Sequence, residues 1–216
     1  MVNIQLLAYS SVPDSLAIQT RLSECSLKHV ILDLSNIVSA FQICVGIMKS
    51  LLSEANGTMK TTDFQSEVMY NLSVSGRITE AIGQFGVKEG VSDIVVAIVH
   101  CDGSDTSTGK VTVSTTMLCD GSDTSTGKVT VSTTMLCDDP ATAIVVDSIV
   151  QPEGAKHKNE VRREDAANLC SSSYSLDVNR LSTLKACYKL TDADIEGQGF
   201  DQIEQIIITR ISVKNL

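Results

Sequence analysis

The sequence predicts an α/β fold built as a single domain, and three observations predict it. Short runs of Val, Ile and Leu alternate with longer segments whose apolar residues recur at helical spacing, first over residues 1–100 and again from about residue 176. The run at 94–99 is continuously apolar, the mark of a strand covered on both faces. The chain has 216 residues, 43% of them apolar, enough to bury one substantial core. Aromatics make up 4% and tryptophan is absent, so that core must rest on Ile, Val, Leu, Met and Ala.

The elements follow in order. Residues 2–8 read as a first strand, and 14–25 as a helix with Leu16, Ile18 and Leu22 on one side. Residues 29–34, rich in Val, Ile and Leu, make a second strand. The strongest helix covers 37–52, where Ile37, Phe41, Cys44, Met48 and Leu51 form a stripe at 3.6-residue spacing. Ala40, Ile43, Val45 and Ile47 widen it and leave Ser39, Gln42, Gly46, Lys49 and Ser50 as a polar edge. A helix apolar over most of its circumference is either central to the core or shared between core and partner.

Residues 67–72 alternate as a half-buried strand would, with Val68, Tyr70 and Leu72 on one face. Ser73 or Ser75 is then placed to cap a helix carrying Ile78, Ala81, Ile82 and Phe85, which Gly86 would end in the left-handed conformation. Beyond His100 the texture changes. Residues 101–118 and 119–136 are identical, and Cys137-Asp138 begins a third copy. Units so rich in Ser, Thr, Gly and Asp lack the buried face that a solenoid repeat needs. They read as part of an insertion at 101–177, tolerated because lengthening a loop costs little.

Within that range 141–150 has a β-branched strand pattern and 153–173 is charged and polar. Val178, Leu181, Leu184 and Tyr188 predict a helix. At the end Phe200, Ile203, Ile207 and Ile211 form a helical stripe with Ile206 and Ile208 beside it. The clustered isoleucines favour a strand, but the i, i+3, i+7, i+11 spacing decides for a helix.

Charge narrows the function classes. A formal net charge of −9 argues against tight independent binding of nucleic acid, whose affinity comes mostly from neutralised phosphates. The N-terminal residues carry no basic segment or small-residue cleavage site. The charge-free stretch between Asp33 and Lys49 is too short and too polar to span a bilayer. A soluble, intracellular protein without membrane contact is expected. Seven cysteines, an odd number with no Cys-x-x-Cys, fit free thiols in a reducing compartment better than disulfides or zinc.

No motif carries chemistry. Gly103 to Lys110 suggests a phosphate loop, yet five residues separate its glycines where four are needed, and Val111 follows the lysine in place of Ser or Thr. His29, His100 and His157 share no metal-ligand spacing, and no Gly-x-Ser-x-Gly elbow occurs. Asp138, Asp139, Asp192 and Asp194 read as turn and cap residues. The basic cluster Lys156, Lys158, Arg162 and Arg163 is diluted by Glu160 and Glu164 and has no aromatic to stack a base. No catalytic residue, metal or cofactor is expected, and the weight moves to a binding role.

A set of short segments points the same way. Met59-Lys60-Thr61, the run from Ser66 to Ser73 and the run from Ile78 to Val87 stand in that order. Phe41-Gln42-Ile43 precedes them, and Tyr188-Lys189-Leu190 and Ser212-Val213-Lys214 follow. This ordered set, across about residues 1–100 and 178–216, resembles the TPRKB-type kinase-binding subunits of the KEOPS (EKC) complex. The resemblance implies an antiparallel sheet packed against helices, no enzymatic activity, and a cytoplasmic and nuclear location. It implies binding to the small lobe of a PRPK-type kinase. Through that kinase the subunit would act on the KEOPS transferase that forms N6-threonylcarbamoyladenosine in tRNA next to the anticodon.

On this reading the apolar surplus of the two strongest helices docks the kinase, with Phe41, Val45, Met48, Phe200, Ile203 and Ile207 as contact residues. Lys60, Arg77 and Lys185 are the candidates for touching tRNA within the assembled complex. Two alternatives stay open. One is a stand-alone module binding the tRNA acceptor tail, which would need a basic face. The other is a small nucleotide-binding transferase using the Gly-Lys loops, which their spacing disfavours.

Overall fold

A computed structural model describes residues 2–101, 140–150, 162–164 and 178–214. Apart from Cys101, both copies of the duplication lie outside the described residues, as do the Gly-Lys loops, His157 and most of the polar stretch at 153–173. So do Asp138 and Asp139.

In chain order the elements are β1 (Val2–Ser10), α1 (Ser15–Ser23), β2 (His29–Asp33), a 3-10 turn (Leu34–Asn36), α2 (Ala40–Ala55), α3 (Phe64–Leu72) and α4 (Ile78–Phe85). They continue as β3 (Ile94–Cys101), α5 (Pro140–Val150), β4 (Arg162–Glu164), α6 (Val178–Tyr188), α7 (Asp192–Ile195) and α8 (Phe200–Val213). The strands form an antiparallel sheet in the order β2-β3-β1-β4. Val2 pairs with Cys101 and Tyr9 with Ile94 across β1 and β3, while His29 to Asp33 run against Ile98 to Ile94. The described parts of the 101–177 range are Cys101 at the end of β3, α5 and the short edge strand β4, which pairs with Ala8 to Ser10.

The period-2 pleat sends alternate side chains to two cores. Ile4, Leu6, Ala8, Val30, Leu32, Val95, Ala97 and Val99 pack under α2, α3, α6 and α8. Leu7, Tyr9, Ile31, Ile94, Val96 and Ile98 pack against Ile18 and Leu22 of α1 and Val146 and Val150 of α5. The sheet is therefore covered on both faces, which accounts for the unbroken apolar run in β3. Each fully buried aliphatic side chain contributes about 1.5–3 kcal/mol.

The expected α/β architecture and the strands at β1, β2 and β3 are present, as are helices at α1, α2, α4, α6 and α8. Two segments differ in kind. Residues 67–72 belong to helix α3, which Asp63 caps by accepting from the Ser66 N–H at 2.8 Å. Every residue from Glu67 to Leu72 is buried, so the alternation of Val68, Tyr70 and Leu72 does not mark two faces. Residues 141–150 form α5, not a strand. Pro140 occupies its first turn, where a missing N–H costs nothing, and the packing of Val146 and Val150 outweighs β propensity.

Smaller differences have local causes. Helix α2 starts at Ala40, because the Ser39 hydroxyl accepts from the Gln42 N–H and Ile37 lies ahead of it in the turn. Helix α4 starts after Arg77, and Ser75 supports that start by accepting from the Arg77 N–H and donating to Glu80. Gly86 ends α4 with an extended φ of −73°. Glycine is required there because a Cβ would sit 2.6 Å from the Ile82 carbonyl oxygen. Leu16 faces solvent while Ile18 and Leu22 are buried.

Candidate functional site

Helix α2 is the scaffold of the candidate site, and part of its expected polar edge faces inward. Gln42, Gly46 and Ser50, expected as a polar edge, are all buried. Gln42 Oε1 accepts from the Val38 N–H at 2.8 Å, and its Nε2 donates to the Tyr188 hydroxyl at 2.5 Å. Tyr188 in turn donates to the Asn36 carbonyl at 2.5 Å, and Arg180 donates to the Ile37 carbonyl at 2.7 Å. Ser50 donates back to the Gly46 carbonyl and accepts from Asn71 of α3. Burial raises the Tyr188 phenol well above its ordinary value. Burial, with Glu80 second, pushes the neighbouring Cys187 thiol up to about 12. This interior network ties α2 to α3, α6 and the 3-10 turn.

With those residues turned in, α2 carries two apolar stripes. Ile43, Ile47 and Leu51 are buried, while Phe41, Val45 and Met48 are half-buried and Leu52 is 54% exposed. The outer set falls at i, i+4, i+7 and i+11, one face of the helix. On α8, Ile203, Ile207 and Ile211 are buried, Phe200, Ile206 and Ile208 are half-buried, and Val213 is 54% exposed.

The six docking candidates thus divide. Phe41, Val45, Met48 and Phe200 are half-buried and reach the surface. Ile203 and Ile207 are 2% and 0% exposed and serve the core, because their spacing puts them on the inner stripe of α8 with Ile211. Leu52 and Val213, which the sequence reading passed over, are the more exposed aliphatic side chains. Leu52 was legible as the next member of the Phe41–Val45–Met48 series, whereas Val213 lies off the α8 stripe.

A lysine joins these helices. Lys49 Nζ donates to the carbonyl oxygens of Ile211 at 2.5 Å, Ser212 at 3.2 Å and Lys214 at 3.1 Å. Lys214 reaches α3, donating to the Tyr70 carbonyl at 2.5 Å with its ammonium 3.5 Å from the centre of the Tyr70 ring. Burial lowers both ammonium groups. Lys214 falls to about 8, with Lys49 as a second cause and Glu67 acting the other way.

The three tRNA candidates stand on separate elements. Lys60 lies in the α2–α3 loop, whose amides at 60 and 61 both donate to the buried Glu67 carboxylate at 2.9 Å. Arg77 is exposed just before α4. Lys60 and Arg77 flank α3, a nine-residue helix about 13 Å long. Lys185, on α6, is ion-paired with Asp192.

Beside α8 runs an open groove of about 480 Å³, lined by Gln198, Gln202, Gln205, Ile206 and the Asp194–Arg210 pair. Arg210 donates to Asp194 at 2.8 Å and to the Tyr188 carbonyl at 2.9 Å. The N–H and hydroxyl of Thr191, then Arg210, hold the Asp194 carboxyl below its ordinary range. Asp194 thus serves the start of α7 as a cap residue, as its place in the sequence predicts. Among the described residues no group of three His, Cys, Asp or Glu side chains could hold a metal ion, and no helix is long and apolar enough to cross a membrane.

Comparison with known proteins identifies relatives of the chain. The family model described as "Kinase binding protein CGI-121" matches residues 9–215. An EKC/KEOPS complex subunit CGI121 from Kluyveromyces lactis is 29% identical over 102 residues, 47% of this chain and 64% of that protein. The EKC/KEOPS complex subunit TPRKB of Danio rerio is 34% identical over 74 residues, 34% of this chain and 42% of the relative. A Gibberella zeae subunit CGI121 is 28% identical over 78 residues, 36% of this chain and 40% of the relative. The chain thus spans between 40% and 64% of the length of these curated relatives. The family match, in contrast, runs through both helices of the candidate site and nearly the whole sequence, and the chain belongs to the kinase binding protein CGI-121 family.

Proposed function

We propose that this protein is a non-catalytic subunit of a KEOPS-type complex that binds and regulates a PRPK-type kinase through the outer face of α2 and α8. One observation carries the placement. Above an intact inner stripe, α2 keeps a second stripe of Phe41, Val45, Met48 and Leu52, with Phe200 and the exposed Val213 on α8. Contiguous apolar side chains at a surface mark a protein contact, and energy at such contacts concentrates in a few central residues. The family description supports a kinase as occupant, and the names of the relatives support the complex.

In this role the protein supports N6-threonylcarbamoyladenosine formation in tRNA next to the anticodon, in the cytoplasm and nucleus, without performing the chemistry. Contact with tRNA would arise in the assembled complex, through Lys60, Arg77 and Lys185, because a net charge of −9 offers the RNA little alone. The chain acts as one domain, and the duplicated part of the 101–177 insertion is dispensable for docking.

Co-purification with the cognate PRPK-type kinase tests the proposal, using the full chain and a version lacking residues 101–136. A stable complex from both is expected. Soluble, folded full-length protein that forms no complex would overturn it. A complex formed by the full chain alone would overturn the dispensability of the duplication.

A further inference from the structure

Among the described residues, the end of helix α8 is held by a side chain from another helix. An α-helix leaves its last four carbonyls without intrahelical partners, and these are commonly satisfied by a glycine-based turn. Here the chain leaves α8 at Lys214 with φ −61° and ψ 127°, in extended conformation. Three carbonyls at this end are satisfied from another helix. Lys49 of α2 supplies one ammonium to the carbonyls of Ile211, Ser212 and Lys214, and a cation at a helix C-terminus is also favoured by the helix dipole. The Lys214 side chain runs the opposite way, onto the carbonyl and ring of Tyr70 at the end of α3.

The carbonyls that Lys49 grips bracket Val213 in sequence. Leu52 lies three residues after Lys49 and so shares its side of α2. Lys49 therefore links the side of α2 that carries the exposed Leu52 to the turn of α8 that carries the exposed Val213.

We propose that Lys49 and Lys214 act as a two-point clamp that fixes the last turn of α8 on α2 and α3 and so positions Leu52 and Val213 together as an apolar contact for the kinase. The inference rests on the proposed α2–α8 docking face. Lys49 is a positioning residue, since its ammonium is spent on the three carbonyls and its effect on the partner passes through Val213. The same dependence makes the last turn of α8 the part of the face most sensitive to substitutions at a distance.

The test is Lys49→Met, which keeps the aliphatic stem and removes the ammonium, with Lys214→Met as the second variant. Two quantities are read on the full chain: amide hydrogen exchange over residues 210–214, and affinity for the purified cognate kinase. Each variant should exchange at least about tenfold faster in that segment, keep its protection in the β1–β3 core, and bind the kinase at least about tenfold more weakly. Leu52→Asp, as comparison, should lose binding with unchanged exchange. Unaltered exchange at 210–214 in both variants would overturn the clamp. Faster exchange with wild-type affinity would overturn its role in positioning. Failure of the unmodified chain to bind kinase would overturn the docking face and this role with it, while exchange alone would still decide whether the clamp exists.

Discussion

Gln42 of α2 and Tyr188 of α6 meet inside the core, the amide Nε2 donating to the phenol oxygen at 2.5 Å although 146 residues separate them. The phenol hydrogen goes on to the Asn36 carbonyl, so both partners of Tyr188 are buried and depend on it. Tyr188→Phe keeps the ring against Phe85 but leaves an amide hydrogen and a carbonyl without partners. Leaving such groups unsatisfied costs about 1–3 kcal/mol each. The denaturation midpoint should fall accordingly while the protein stays folded at 25 °C. An unchanged midpoint would show that water replaces the hydroxyl.

Gly46 sets how closely α2 and α3 approach. A Cβ at this position would lie 2.7 Å from Leu72 Cδ2 and 2.8 Å from Cγ. Alanine gains about 1 kcal/mol of helix propensity, but overpacking a filled core costs about 1–3 kcal/mol. Leu72 is fully buried and has little room to yield, so Gly46→Ala should be a net loss. Urea denaturation checks the sign, and a stabilised variant would mean that Leu72 shifts easily.

Lys214 makes stability depend on pH in a defined window. Its folded value is about 8 against an ordinary 10.5, so between these the unfolded chain binds more protons than the native one. The contribution of Lys214 is full above about 10.5 and is lost as pH falls through about 8. The side chain is about half-buried, so the increment is well below the roughly 1.4 kcal/mol per pKa unit of a fully shielded group. Measured as wild type minus Lys214→Met, the stability difference should rise from pH 7.5 to pH 10. A flat difference would show that Lys214 titrates alike in the folded and unfolded chain.

Much of this was legible in the sequence where one face of an element meets the core and the other meets water. The Phe200–Ile203–Ile207–Ile211 spacing announced α8, and the continuous run at 94–99 announced a strand covered on both faces. The signal failed where burial surrounds an element. Helix α3 is buried from Glu67 to Leu72, so no polar face remained to reveal its period. Gln42 and Ser50 look like surface residues because their partners, Tyr188 and Asn71, are distant in the chain. For the candidate site, spacing located both helices but could not divide core from surface. Ile203 and Ile207 fill the core, while Val213 is exposed because α8 ends there.

That division separates two kinds of variant. Ile207→Ala empties a fully buried site and should cost about 2–5 kcal/mol of stability. Leu52→Asp changes a side chain that is 54% exposed and should leave the unfolding midpoint nearly unchanged. Thermal unfolding of the two variants checks the contrast, and equal losses would place Leu52 in the core.

Whether α2 and α8 dock a kinase is decided by the affinity of purified wild type and Leu52→Asp for the cognate PRPK-type kinase. Wild type should form a stable 1:1 complex, with binding weakened by at least about 30-fold in the folded variant, as losing about 2 kcal/mol at a contact centre would produce. Equal affinity for both proteins would contradict the α2–α8 docking face, and folded wild-type protein with no affinity for the kinase would contradict the proposed function.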